Sequence, residues 1–227
     1  TIMRNLFKAL DNRTSPALVS LGEDWDGNMV QLAKADRATA VREMIRHRKP
    51  GAAVYDMALI EASVRGHTET LRVLLHDVKN DPFTSYSRAI ANALRHEEIR
   101  AAELLVQYQG LKHADFDWLM KTAANTSDAE AARVLYPAMK EHSDCETDTT
   151  SSGSVVLGTI DLENYGLYYA CCWGNVGMAK YMLGVGADPS WNQSVALQSA
   201  AKRGATAVVE LLLGDGRADP TAGDNDA

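Results

Sequence analysis

The chain is short of the residues that build many chemistries and several fold classes. Among 227 residues there are three phenylalanines, three cysteines and six prolines. So little phenylalanine argues against an aromatic-rich β-sandwich, and frequent alanine and leucine favour closely packed small helices. Three cysteines (Cys145, Cys171 and Cys172) are an odd number and no disulfide framework. No Cys-x-x-Cys occurs, and an adjacent pair cannot chelate zinc alone. The plainer reading is a buried Cys171 in a reduced, cytosolic protein. Positive charge is also in deficit: 23 Lys and Arg against 30 Asp and Glu leave a net charge of −7. That argues against a broad phosphate-binding face, so no nucleic-acid partner is expected. There is no run of about 18 apolar residues, and hence no expected membrane span. The opening Thr1-Ile2-Met3-Arg4-Asn5-Leu6-Phe7 lacks the long apolar core of a signal peptide. It lacks an initiator Met as well, so secretion stays open, with a cytoplasmic location slightly favoured.

Catalytic signatures are missing too. The six histidines (His47, His67, His76, His96, His113 and His142) share no metal-ligand spacing. Neither Gly-x-x-x-x-Gly-Lys nor Gly-x-Ser-x-Gly is present. These observations predict no enzyme, no cofactor and no metal.

What the chain does have is a period. Hydrophobic residues make up 46% and charged residues 23%, the composition of a folding chain. In Ala196 to Leu213 two short helical patterns meet at Gly204. Leu197, Ala200 and Ala201 mark the first, and Val208, Val209, Leu211, Leu212 and Leu213 the second. Each half is too short to be stable alone. With Gly204 as anchor, the same slot holds Asp36, Gly66, Glu97, Ser127 and Gly174, at intervals of 30, 31, 30, 47 and 30 residues. The apolar slots keep step. That of Leu197 holds Met29, Leu59, Ile90, Met120 and Leu167, and that of Ala200 holds Leu32, Ala62, Ala93, Ala123 and Ala170. That of Val209 holds Val41, Leu71, Ala102, Ala132 and Ala179, and that of Leu212 holds Met44, Leu74, Leu105, Leu135 and Met182. Small residues in the first helix let neighbouring helices approach closely. Asp81-Pro82, Asp188-Pro189 and Asp219-Pro220 follow second helices, where proline stops the helix and extends the residue before it.

These marks resemble the ankyrin-repeat family from about residue 28 to 227. The clearest stretches are Ala58-Leu59-Ile60-Glu61-Ala62-Ser63-Val64-Arg65-Gly66-His67, then Leu167-Tyr168-Tyr169-Ala170-Cys171-Cys172-Trp173-Gly174-Asn175, and Ala196 to Leu213 with its Gly216-Arg217-Ala218-Asp219-Pro220 tail. The resemblance implies an all-α, ankyrin-like solenoid of helix pairs that binds other proteins without chemistry. The family's Thr-Pro-Leu-His opening is absent. Ser194-Val195-Ala196-Leu197 stands in one such slot and Tyr165-Gly166-Leu167-Tyr168 in another. Together with a period below the family's, about 33, this predicts short loops. The third and fourth copies have Glu97 and Ser127 in place of the anchor glycine. In the slot of His67, a histidine commonly serves structure in this family.

The expected organisation has four segments. Residues 1–27 form an irregular N-terminal cap with a helix from Ile2 to Leu10, and residues 28–139 hold repeats one to four. Residues 140–160 are a polar, acidic, Ser/Thr-rich insertion with the composition of a flexible loop. Residues 161–227 hold repeats five and six and the start of a seventh, since Asn225 lies 33 residues after Asn192. Antiparallel helix pairs are expected through 28–139 and 161–220. Leu59, Ala62, Leu71, Leu74, Leu197, Ala200, Val209 and Leu212 are expected to be buried.

In ankyrin-like stacks the first helices line the concave side. The resemblance thus implies partner contacts at Glu61, Arg65, Lys121, Trp173, Lys202 and Arg203. Their alternating signs point to a mixed protein surface. Two features stay open between function and structure. The basic run Arg42, Arg46, His47, Arg48 and Lys49 fits either an acidic partner or a helix C-terminus before Pro50-Gly51. Trp173 and Trp191 fit either binding or packing between loops. Asn12, Asn125 and Asn192 begin Asn-x-Ser/Thr sequons, which matter only in a secretory context. In that context Cys145 could bridge Cys172. A second reading of the ends is a subunit that assembles with copies of itself. No capping repeat follows the sixth, and an uncapped head-to-tail contact that does not close makes a filament.

Overall fold

Helices of nine to sixteen residues are marginal alone in water, so each must bury its apolar stripe on a neighbour. The computed structural model describes residues 25–47, 49–77, 86–109, 116–145 and 161–222. Twelve helices and no strand occur among them. In chain order they are α1 (Trp25–Lys34), α2 (Ala38–His47), α3 (Ala52–Val64), α4 (Thr68–Asp77), α5 (Tyr86–Arg95), α6 (Ile99–Gln109), α7 (Phe116–Ala124), α8 (Glu130–Cys145), α9 (Leu162–Trp173), α10 (Val176–Gly184), α11 (Trp191–Arg203) and α12 (Thr206–Asp215). They form six consecutive pairs, one per copy of the sequence period. The helix expected at Ile2 to Leu10 lies outside the described residues. So does Asp81-Pro82.

The chain divides into two compact units, residues 1–108 and 109–227. In the first, α3 packs between α1 and α5 and against its own partner α4, while α2 packs on α4. In the second, α9 packs between α7 and α11 and against its partner α10, while α10 packs on α8 and α12. First helices therefore stack on first helices, and second on second. This is an all-helical, ankyrin-like repeat architecture.

Periodic slots explain why the stacks close. All six residues in the slot of Ala200 have no exposed surface, and neither do the six in the slot of Leu212. Those in the slot of Leu197 are buried as well. The slot of Val209 holds the exception. Val41, Leu71, Ala102, Ala132 and Ala179 are buried, but Val209 itself is only half-buried. Its neighbour Val208 takes the core position with Leu212, one turn on. Val209 shares the other ridge with Leu213, which is 46% exposed, whereas in the equivalent slot Ile45, Leu75, Val106 and Tyr136 are buried and Leu183 is half-buried. No described helix packs on that flank of α12, so the expected burial of Val209 fails there for want of a neighbour.

The turn inside each pair is built the same way. Asp36, Gly66, Glu97, Gly174 and Gly204 all adopt left-handed φ, from 53° to 74°. The residue after each anchor donates its N–H to the carbonyl in the slot of Ala200. These bonds are Arg37 to Leu32 (3.0 Å), His67 to Ala62 (3.0 Å), Glu98 to Ala93 (2.9 Å), Asn175 to Ala170 (2.8 Å) and Ala205 to Ala200 (2.9 Å). They satisfy the last carbonyls of the first helix and reverse the chain within three residues. Glycine takes this conformation without steric cost, and an added Cβ at Gly66 would run into the Glu98 carboxylate. Asp36 and Glu97 hold it with a side chain, which costs about 1–2 kcal/mol each.

The fourth turn departs from the pattern. Ser127 is not left-handed, and the loop from Asn125 to Ala129 relies on side chains. Thr126 Oγ1 donates to the Ala123 carbonyl (2.6 Å), and the Ala129 N–H donates to Asp128 Oδ1 (2.6 Å). Asn175 from the next copy completes it. Its Nδ2 donates to the carbonyls of Ala124, Thr126 and Asp128, and its Oδ1 caps α10 by accepting the Met178 N–H. His67 occupies the slot of Asn175 in its own copy. There its Nδ1 lies 3.1 Å from the Ala33 carbonyl of the preceding copy. The structural role expected for His67 is this inter-repeat bond.

The Asp-Pro tails close back onto their own repeats. The Asp188 N–H donates to Asn164 Oδ1 (2.6 Å) and the Asp219 N–H to Ser194 Oγ (2.9 Å). Each aspartate then accepts from the residue after proline, Ser190 or Thr221, as an Asx turn. The link from α10 to α11 is short and contains no strand, in line with the expected short loops. One irregularity was not legible. Asn192, Gln193 and Ser194 take left-handed φ of 48°, 59° and 56°, so regular helix in α11 begins only at Val195. The polar stretch from residue 140 also begins differently from a loop, because α8 continues through Lys140 to Cys145. Residues 146–160 lie outside the described ones.

Candidate interaction face

Each residue placed on the first-helix face lies in the last two turns of a first helix or caps it. Glu61 belongs to α3 and Arg65 is its C-cap, Lys121 belongs to α7, Trp173 to α9, and Lys202 and Arg203 to α11. Their local electrostatics differ.

In the first unit, Arg65 donates to the Glu61 carboxylate and to the Glu61 carbonyl (3.2 Å), both partly buried. The four-residue spacing places the two side chains side by side on one helix face. The pair neutralises itself.

In the second unit, Lys121 donates to Asp117 (2.7 Å), again one turn away. The Tyr169 hydroxyl donates to the same carboxylate, and the Lys121 ammonium lies 5.3 Å from the Tyr169 ring centroid. Partial burial works to raise the Asp117 carboxyl. The bonds from Lys121 and Tyr169 outweigh it and hold Asp117 below the ordinary aspartate range. Burial first, and the Asp117 charge second, push the Tyr169 hydroxyl well above its usual range. Lys121 is thereby tied down as well.

Trp173, Lys202 and Arg203 are different. Trp173 is 42% exposed, and the Arg203 guanidinium stacks over its ring at 5.3 Å from the centroid. Both sit beside the Gly174 turn, where an added Cβ would lie 3.8 Å from Arg203 Nε. Lys202 and Arg203 are exposed. Neither pairs with a carboxylate among the described residues. So the alternation of sign along the chain is absorbed within α3 and α7, and a basic, aromatic corner remains at the ends of α9 and α11.

Other sequence features also find their places. Arg46 and His47 close α2, where a cation suits the negative end of a helix, and Arg46 pairs with Glu43 at 2.8 Å. Arg48 lies outside the described residues. Trp191 packs on Tyr165 with ring centroids 5.3 Å apart, which is contact between repeats. Sequence reasoning missed that Met57, Trp118 and Tyr165, all exposed, share one slot nine residues before their anchors. The slot was legible in the register, and a hydrophobic residue repeated there was its signal. Asn125 and Asn192 are exposed, but Ser194 of the Asn192 sequon is buried, its hydroxyl accepting from the Asp219 N–H. Asn12 lies outside the described residues. Cys171 is buried, and burial, with Cys172 beside it, pushes its thiol up to about 12, so it is inert at neutral pH. Cys172 is half-buried with a free thiol. The Cys145 side chain lies outside the described residues, and its proposed bridge with it. Among the described residues no three His, Cys, Asp or Glu side chains converge as metal ligands, and no helix is long and apolar enough to cross a membrane.

Stacked pairs with a left-handed reversal and a small-residue seam define a helical-repeat protein. The family model of the ankyrin repeat matches residues 192–225, so the sixth pair is similar to an ankyrin repeat, and the earlier pairs share its slots and, except in the fourth, its left-handed turn. No curated protein matches the chain. Ankyrin repeats are typically non-enzymatic modules that mediate protein–protein interaction.

Proposed function

We propose that the chain is a non-enzymatic scaffold that binds a protein partner across the exposed ends of its first helices. The observation that carries this reading is the Trp173–Arg203 corner. It exposes an aromatic ring and an unpaired cation on a repeat of a family that mediates protein interaction. Tryptophan and arginine are enriched among residues that dominate interface energy. The decisive comparison replaces Arg65, Trp173 and Arg203 with alanine in one chain and follows captured partners beside the thermal melt. Loss of the complex with an unchanged melt is the expected result. A complex retained in full would move binding to the second helices. Head-to-tail assembly into filaments gains no support from the repeat match.

A further inference from the structure

The corner at the ends of α9 and α11 has a chemistry more specific than a general protein surface. The Arg203 guanidinium lies over the Trp173 ring and has no carboxylate partner among the described residues, so its N–H donors are open to a ligand. Those donors match a carboxylate in paired geometry. Lys202, also exposed, adds a second cation to the same last turn of α11. The position that would quench Arg203 lies four residues before it, and there α11 has Ser199 where α3 has Glu61 before Arg65. The chain as a whole carries a net charge of −7, and this corner is locally basic, so charge complementarity there favours an acidic ligand.

We infer that Trp173, Lys202 and Arg203 form a docking corner for an acidic peptide segment of a protein partner. This rests on the scaffold reading and adds the partner's chemistry. Carboxylates of the segment accept from Arg203 and Lys202, and an apolar side chain packs on the exposed part of Trp173. The pairing is at a solvent-exposed site, so it confers specificity and weakens with salt.

The test is a random-peptide phage selection on the full chain, with bound peptides then titrated by fluorescence anisotropy. Enriched peptides should be rich in Asp and Glu and should bind more weakly as salt rises. The double substitution Lys202→Glu with Arg203→Glu should weaken them about tenfold or more, a loss of about 1.4 kcal/mol. Both residues are exposed, so the chain should stay folded, with the melt lowered only slightly by carboxylates in the last turn of α11. Enriched peptides that are neutral or basic, or acidic ones that bind the double variant as well as the wild type, would overturn the acidic-segment inference and leave the scaffold reading standing. Selection of no peptide over the bare support would overturn both. Equal binding of a single-stranded DNA oligonucleotide would also overturn the inference, by showing attraction to any polyanion.

Discussion

The second and sixth repeats carry an arginine in the same slot, one residue before the anchor glycine, and the two arginines do opposite things. Arg65 turns back to Glu61 and is neutralised. Arg203 has Ser199 in place of that glutamate and lies over Trp173. Two differences separate the slots: Glu61 against Ser199 one turn earlier, and Ala35 against Trp173 in the preceding repeat. The packing differs in parallel. Leu71 and Leu75 of the second repeat are both fully buried, while Val209 and Leu213 of the sixth are partly open. Identical registers therefore give different surfaces, because a repeat's exposure depends on its neighbours as much as on its own residues.

The largest expected effect sharpens the packing half of this comparison. Leu75→Ala opens a cavity in a closed core and should cost about 2–5 kcal/mol. Leu213→Ala removes a half-exposed side chain and should cost no more than about 1 kcal/mol. Urea unfolding of both variants measures the difference. Equal losses would mean that α12 is covered on its open flank.

A smaller effect separates the turns. The second repeat reverses at Gly66 and the third at Glu97, both left-handed. Glu97→Gly should raise stability by about 1 kcal/mol, as strain is relieved. Asp36→Gly should gain under about 1 kcal/mol, because it gives up the 2.8 Å bond that Asp36 accepts from Thr70 Oγ1. A loss at Glu97 would place the anchor elsewhere.

The smallest effect concerns reach. Arg65 and Glu61 lie within one helix, whereas Lys140 and Glu163 join α8 to α9. Partial burial tends to raise the Glu163 carboxyl, but bonds from Lys140 and Tyr136 outweigh it and hold it below the usual glutamate range. A depressed folded value means stability present at neutral pH and lost as pH falls through that lowered value. Glu163→Gln should cost under about 1 kcal/mol at neutral pH. In thermal melts the gap from wild type should close in acid, below about pH 4. A gap that stays constant into acid would remove the ion pair as its cause.

Much of the fold was legible because its cause is local and periodic. The anchors fell where five of six reversals are left-handed, including Asp36 and Glu97, which no glycine marked. The slots of Leu197, Ala200 and Leu212 followed from helical spacing alone. What escaped depends on three-dimensional neighbours. Val209 and Leu213 look like core by pattern, but no described helix beyond α12 covers them. The left-handed turn at Asn192 to Ser194 is fixed by a distant partner, since Ser194 is held by the Asp219 N–H. On the candidate face, the residues were legible but their pairing was not. Lys121 could be read as available until Asp117 and Tyr169 were seen around it.

The central claim is that the residue four before the terminal arginine sets whether that arginine can meet a partner. It is tested most directly by installing the second repeat's glutamate in the sixth. Acidic peptides selected on the wild-type chain are titrated against Ser199→Glu and Ser199→Gln. The account predicts that Ser199→Glu weakens binding about tenfold, as Arg203 is quenched and like charges oppose the peptide, while Ser199→Gln binds as the wild type does. Undiminished binding by Ser199→Glu would contradict it.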